Sequence, residues 1–209
     1  MGESTSAPLT STSKNSFHLS PLANTFLLLA SVAGLIASLG LLKTEIEYLS
    51  DPTAALNCDI SILVGCSSSL TSWEAHLFFG LPNTALGIAF FAVTLFVSVT
   101  SYLKVHLPRQ VWHLLAAASG ASLLFIGFFL YASIFNFQAL CPYCLVIWAA
   151  TFITFGTLNT YALSICKIPL VNSWGKPLHK NAWAVVATLF LLTAITVLLG
   201  LTDKIATLL

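Results

Sequence analysis

Long apolar runs separated by short polar intervals organise this chain. Pro21 to Leu42, Leu81 to Leu103, Val111 to about Phe135, Cys141 to about Ile165 and Trp183 to Leu201 are each long enough to cross a bilayer as a helix, which takes about 20 residues at roughly 1.5 Å each. From Gln110 to Cys166 there is no Asp, Glu, Lys or Arg. That is far more than one crossing uses, so the run holds two spans with a break between them. The break falls at Asn136-Phe137-Gln138-Ala139-Leu140, its most polar patch, and Pro142 follows. Proline is tolerated in the first helical turn and poorly beyond it, so the fourth helix starts at about Cys141.

The intervals complete the outline. Residues 1–20 are rich in Ser and Thr without apolar periodicity and read as a disordered tail; the run that follows is too long for the core of a cleaved signal and stays as the first span. Residues 43–80 form the one long polar excursion, with Glu45, Glu47, Asp51, Asp59 and Glu74 against the single basic Lys43. Within it Thr71-Ser72-Trp73-Glu74 has capping-box spacing, and Leu70, Trp73, Leu77 and Phe78 share one face of a short helix that lies on the bilayer as a lid. Residues 166–182 are a loop, and 183–209 a fifth span with a short tail. There is no internal repeat and no separate soluble domain. The expected fold is an all-α integral membrane protein: residues 21–165 as a four-helix bundle, plus one helix.

Composition agrees with this outline. Of 209 residues, 57% are hydrophobic and 7% charged, against about a quarter charged in soluble proteins. A formal net charge of +1 with no basic patch argues against nucleic acid as a partner. Lys14, Lys104, Arg109, Lys167, Lys176 and Lys180 fall on one side of the five-span outline, and only Lys43 and Lys204 on the other. Basic loops stay in the cytoplasm, so the N-terminus is expected inside and the acidic loop outside.

Chemistry is carried by the five cysteines. Cys141-Pro-Tyr-Cys144 sets two thiols three residues apart at a helix start, on one face, close enough to form a disulfide or pass electrons between them. The helix dipole and unpaired backbone N–H groups there favour a thiolate. A lone cysteine in a membrane helix is usually a small hydrophobe; a Cys-X-X-Cys at a helix start points to redox chemistry. Cys58 and Cys66, with seven residues between them in the polar loop, are within reach of a disulfide. Both pairs fall on the expected outer face, where disulfides persist, and exchange through a mixed disulfide would let one pass two electrons to the other. Cys166, at the other end of the fourth span, is the leftover thiol with no assigned function. Two other classes compete: a membrane protein holding a soft ion such as Cu(I) or Zn(II) on the outer cysteines, for which intramembrane His, Met or carboxylate ligands are lacking, and a purely structural subunit.

In order and spacing the chain resembles the vitamin K epoxide reductase family in its bacterial form without a fused thioredoxin-like domain. The resemblance rests on Cys58-Asp59 and Cys66 in the first outer loop, Ser72 six residues on, Asn83-Thr-Ala-Leu-Gly87 at the start of the second span, and Cys141-Pro-Tyr-Cys144 opening the fourth. It covers about residues 21 to 165. The resemblance implies a bundle around a quinone, menaquinone or ubiquinone. Cys144 is then the thiolate that meets it, Cys141 its resolving partner, Cys66 the loop thiol that exchanges with Cys141, and Cys58 the thiol that meets an outside partner. Ser72 and Asn83 match polar positions near the family's active site, Asn83 as a hydrogen-bond donor to a quinone oxygen. Vertebrate members carry a tyrosine four residues after the last cysteine; Trp148 stands there in this chain, and its indole can donate but has no hydroxyl. Phe128, Phe129, Tyr131 and Phe135 are candidates for the pocket wall or for an aromatic belt, and His76 for a lid residue. The implied function is a thiol:quinone oxidoreductase of the bacterial inner membrane that re-oxidises a periplasmic DsbA-like thioredoxin-fold protein. The DsbB-type oxidases resemble it less, because their two cysteine pairs come in the opposite order along the chain.

Overall fold

The computed structural model describes residues 19–51, 56, 58–61, 64–70, 72–76, 80, 82–105, 107–166, 177, 181–200 and 202. Five of its helices are long and apolar enough to cross a membrane: α1 (Pro21–Ser50), α3 (Asn83–Tyr102), α4 (Arg109–Ala132, continued by a π-helical turn over Ser133–Phe137), α5 (Pro142–Ser164) and α6 (Ala182–Gly200). The loop after α1 carries the short α2 (Ser67–Leu70) and one 3-10 turn (Trp73–His76). Among the described residues there is helix and no sheet beyond isolated bridges, and the protein is an all-α, multi-pass membrane protein.

Helix α1 begins where Ser20 accepts the Ala23 N–H and Pro21 takes the first helical position. Leu19, inside the stretch expected to be a disordered tail, is buried against the core; residues 1–18 lie outside the described set. The helix does not stop with its apolar run at Leu42 but continues to Ser50. Glu45 lies in this continuation, and its carboxylate has partners inside the bundle.

Small and polar residues set the helix contacts, as expected where lipid removes the hydrophobic drive for association. On α1, Asn24 donates to the Ser98 carbonyl (3.1 Å) and Ser31 to Thr94 Oγ1 (2.9 Å), while Gly34 leaves the Phe91 ring a place no Cβ could share. Asn159 of α5 donates to Ser119 Oγ of α4 at 2.7 Å, and Arg109 ties the start of α4 to the Ile165 carbonyl after α5. Helix α5 is central, touching α1, α4 and α6. Helix α6 lies outside the four-helix bundle, with Val186 against Gly156 and Phe190 edge-on to Phe152. Its Leu191, Leu192, Leu198 and Leu199 are exposed, as on a helix facing lipid.

The break between α4 and α5 comes where the sequence places it. Gln138 takes a left-handed conformation (φ 50°), and Cys141 is the N-cap of α5 with Pro142 next to it. The lid differs from the single surface helix expected. Leu70 is buried among the cysteines while Trp73 is 68% exposed, so the two do not share a face. Leu77 and Phe78 lie outside the described residues.

Candidate active site

All four cysteines of the two pairs meet at one end of the bundle, in a cluster with Leu41, Leu56, Leu70, Tyr48, Tyr143 and Ile147. Cys58 and Cys66 are bonded to each other, Cys141 and Cys144 are free, and Cys66 Sγ lies 3.3 Å from Cys141 Sγ. Cys166 lies beyond the far end of α5, away from the cluster.

The loop is held over the helix start by its own backbone. Asp59 Oδ1 accepts from the N–H groups of Cys66 (2.6 Å) and Ser67 (3.2 Å), capping α2. The Ile60 N–H donates to the Val64 carbonyl, and the Gly65 N–H donates to the Leu140 carbonyl at 3.1 Å, next to a bridge between Val64 and Leu140. A Cβ at position 65 would stand 2.7 Å from Asp59 Oδ1 and push away the carboxylate that holds the Cys66 N–H. The α4–α5 break is therefore also the dock on which Cys66 rests.

Both loop sulfurs are buried, Cys58 included. The Cys141 thiol is held below its ordinary value first by a hydrogen bond with the Cys144 side chain; the backbone N–H groups of Cys144 and Tyr143 add to this, while burial and the Asp59 charge oppose it.

Directly below lies a cavity of about 580 Å³, in the range of small-molecule sites. Its wall comes from α1 (Ser38, Leu41, Glu45), the 3-10 turn (Ala75), α3 from Asn83 to Val93, α4 from Leu114 to Phe129, and Cys144, Ile147, Trp148 and Thr151 of α5. Leu86 and Val93 on α3 and Leu114 on α4 line it while remaining exposed, so it opens sideways between α3 and α4. The wall is almost wholly apolar, but Ser38 Oγ, Glu45 Oε1 and Asn83 Oδ1 are buried without a hydrogen-bond partner. Buried polar atoms normally have one.

The sequence-derived contacts divide here. Asn83, Trp148 and Phe129 line the cavity; Ser72, Phe128 and Tyr131 do not. Ser72 Oγ donates to the Ser69 carbonyl (2.8 Å), Phe128 packs on Trp73 and Phe129, and Tyr131 is 59% exposed beside Phe135. Asn83 Nδ2 already donates to the Glu74 carbonyl at 2.5 Å, leaving its second hydrogen and Oδ1 for other partners.

The sequence marks Glu45 only as a loop charge, and Glu74 only as a loop charge at capping-box spacing from Thr71. Glu45 and Glu74 are each 3% exposed. Glu74 accepts from Asn136 Nδ2 at 2.6 Å, tying the 3-10 turn to the π-helical turn. Glu45 Oε1 is 3.0 Å from His76 Nε2, and Thr84 Oγ1 donates to Oε2 at 3.4 Å. No pattern in the sequence marks either pairing; the only signal is the acidic residue beyond a span, on the helical continuation of α1. Among the described residues no group of three or more His, Cys, Asp or Glu is arranged to hold a metal ion.

Residues 25–159 match the family model described as Vitamin K epoxide reductase family, more than half of the 209-residue chain. No curated protein matches the chain.

Proposed function

Since the chain belongs to the vitamin K epoxide reductase family of membrane thiol–quinone oxidoreductases, we propose that it oxidises a thioredoxin-fold dithiol carrier outside the cytoplasm and passes the electrons to a quinone in the cavity below Cys144. The observation that carries this reading is the continuous line from a loop disulfide, through a 3.3 Å sulfur–sulfur contact, to a thiol in the wall of an apolar cavity.

Each step follows from what the residues can do. A carrier thiolate attacks Cys58, and the carrier's second thiol completes its disulfide, leaving Cys58 and Cys66 reduced. Because Cys58 is buried, this attack requires the loop to lift from the Gly65–Leu140 contact. Cys66 then attacks Cys141 of an oxidised Cys141–Cys144 pair, and Cys144 leaves as a thiolate facing the cavity. Cys58 resolves the mixed disulfide by attacking Cys66. Cys141 is a good leaving group because its thiol is held below the usual value. The result is the state in the structure, with the loop pair closed and the CPYC pair reduced.

A quinone bound in the cavity would accept two electrons as Cys141 and Cys144 close their disulfide. The cavity suits such a molecule. Its opening between α3 and α4 faces lipid, where long-tailed quinones dissolve, and Asn83 and Ser38 offer hydrogen bonds on an otherwise apolar wall. Trp148 supplies a flat ring. The sequence orientation adds an outward cysteine end, and the bacterial inner membrane is the setting in which a periplasmic carrier and a quinone pool meet. A soft-metal site is disfavoured because two of its four sulfurs are joined as a disulfide. The test is purified protein given decylubiquinone and a reduced thioredoxin-fold carrier. One quinol should form per carrier disulfide, and no quinol formation would contradict the reading.

A further inference from the structure

We infer that Glu45 and His76 form a proton path between the quinone cavity and the aqueous face at the cysteine end of the bundle. The inference rests on the reading that this cavity takes a quinone.

A carboxylate buried in an apolar wall is costly unless paired. Glu45 lines the cavity, and its partner His76 is 31% exposed in its side chain. The two residues thus connect cavity and solvent through one 3.0 Å nitrogen–oxygen contact, and Glu45 Oε1 is otherwise buried without a hydrogen-bond partner. A plain structural latch would explain the contact but not its position. The 3-10 turn is already fixed by Glu74, through Asn136 Nδ2 to its carboxylate and Asn83 Nδ2 to its carbonyl. A second anchor with its carboxyl in the cavity wall adds little to that.

The chemistry needs such a path. When two thiols become a disulfide, two electrons and two protons leave sulfur, and a quinone that becomes a quinol gains two of each. Cys141 sits on the loop side, and of the two thiols only Cys144 lines the cavity. The sulfurs then deliver fewer protons to the cavity than the quinol oxygens take up. The Glu45–His76 pair would hold one proton, pass it through the Glu45 carboxyl to the oxygen of a quinol anion, and take one back from water through His76. The groups in contact with the Glu45 carboxylate are His76 from the turn and Thr84 from α3; Asn83 and Cys144 share the cavity wall with it. On α1 itself, Lys43 pairs with Glu47 at 3.5 Å on the exposed side.

The test compares wild type, Glu45→Gln, Glu45→Asp and His76→Gln, with three readouts. Decylubiquinone binding is measured directly. The carboxylic acid C=O stretch is followed by infrared titration of the quinone-free protein. The single-turnover rate from the reduced protein is measured against pH. Glu45→Gln should bind decylubiquinone with less than about tenfold change, lose a titrating carboxyl band, and slow by on the order of a hundredfold with a flattened pH profile. Glu45→Asp should recover part of the rate, and His76→Gln should keep the band but displace the profile. Wild-type rate and pH profile in Glu45→Gln, with binding intact, would overturn the proton path and leave the proposed function standing. Failure of wild type to bind decylubiquinone would overturn both.

Discussion

Cys66 Sγ and Cys141 Sγ stand 3.3 Å apart although 75 residues separate them in the chain. The contact exists because the Gly65 N–H bonds to the Leu140 carbonyl and sets the two adjacent cysteines side by side. It predicts the transient bridge. In the double variant Cys58→Ala, Cys144→Ala, mass spectrometry should find a Cys66–Cys141 disulfide. A Cys66–Cys166 link would contradict the relay order.

The position of Cys66 also depends on Asp59. Asp59→Ala removes an ionised acceptor from two backbone N–H groups, a loss of about 1.5–3 kcal/mol where such bonds are well formed. Oxidation of the protein carrier should fall about tenfold or more. Quinone reduction by dithiothreitol, which bypasses the loop, should be little changed. Equal loss in both assays would show that Asp59 supports the bundle rather than the loop.

A third expectation concerns pH. The folded-state pKa of Cys141 is lowered, chiefly by the Cys144 side chain. The stability this gives the reduced protein is therefore present above the ordinary thiol range and lost as pH falls through the lowered value. In Cys144→Ala the main cause is gone, and thiolate absorbance should titrate at higher pH. Cys144→Ser keeps a donor and should hold the titration low. An unmoved titration in Cys144→Ala would assign the shift to the helix start alone.

The orientation inferred from the basic residues is tested by labelling. A membrane-impermeant maleimide added to intact, reduced cells should reach Cys58 or Cys66, and should reach Cys166 only after the membrane is opened. Labelling of Cys166 from outside would reverse the topology.

The spans, the break at Asn136–Leu140 and the helix start at Cys141 were legible because charge-free length and a proline act locally. The facing of α4 was not. Ala118, Ser122, Phe125 and Phe129 line the cavity at helical spacing while Phe128 and Tyr131 point elsewhere. A helix apolar all round has no polar face to fix its rotation in advance. The reach of α1 to Ser50 was hidden for a related reason, since hydropathy marks where a membrane ends and not where a helix does. Glu45 therefore read as a loop charge, and its contacts with His76 and Thr84, 31 and 39 residues away, carry no sequence signature.

The central claim is a division of labour: the loop pair carries electrons from a protein, and the CPYC pair delivers them to the quinone. The most direct measurement is decylubiquinone reduction by dithiothreitol beside oxidation of a thioredoxin-fold carrier, across single cysteine variants. Cys58→Ala and Cys66→Ala should lose carrier oxidation yet keep quinone reduction by dithiothreitol, while Cys144→Ala should lose both. If loop and CPYC variants are equally inactive with dithiothreitol, the relay is contradicted.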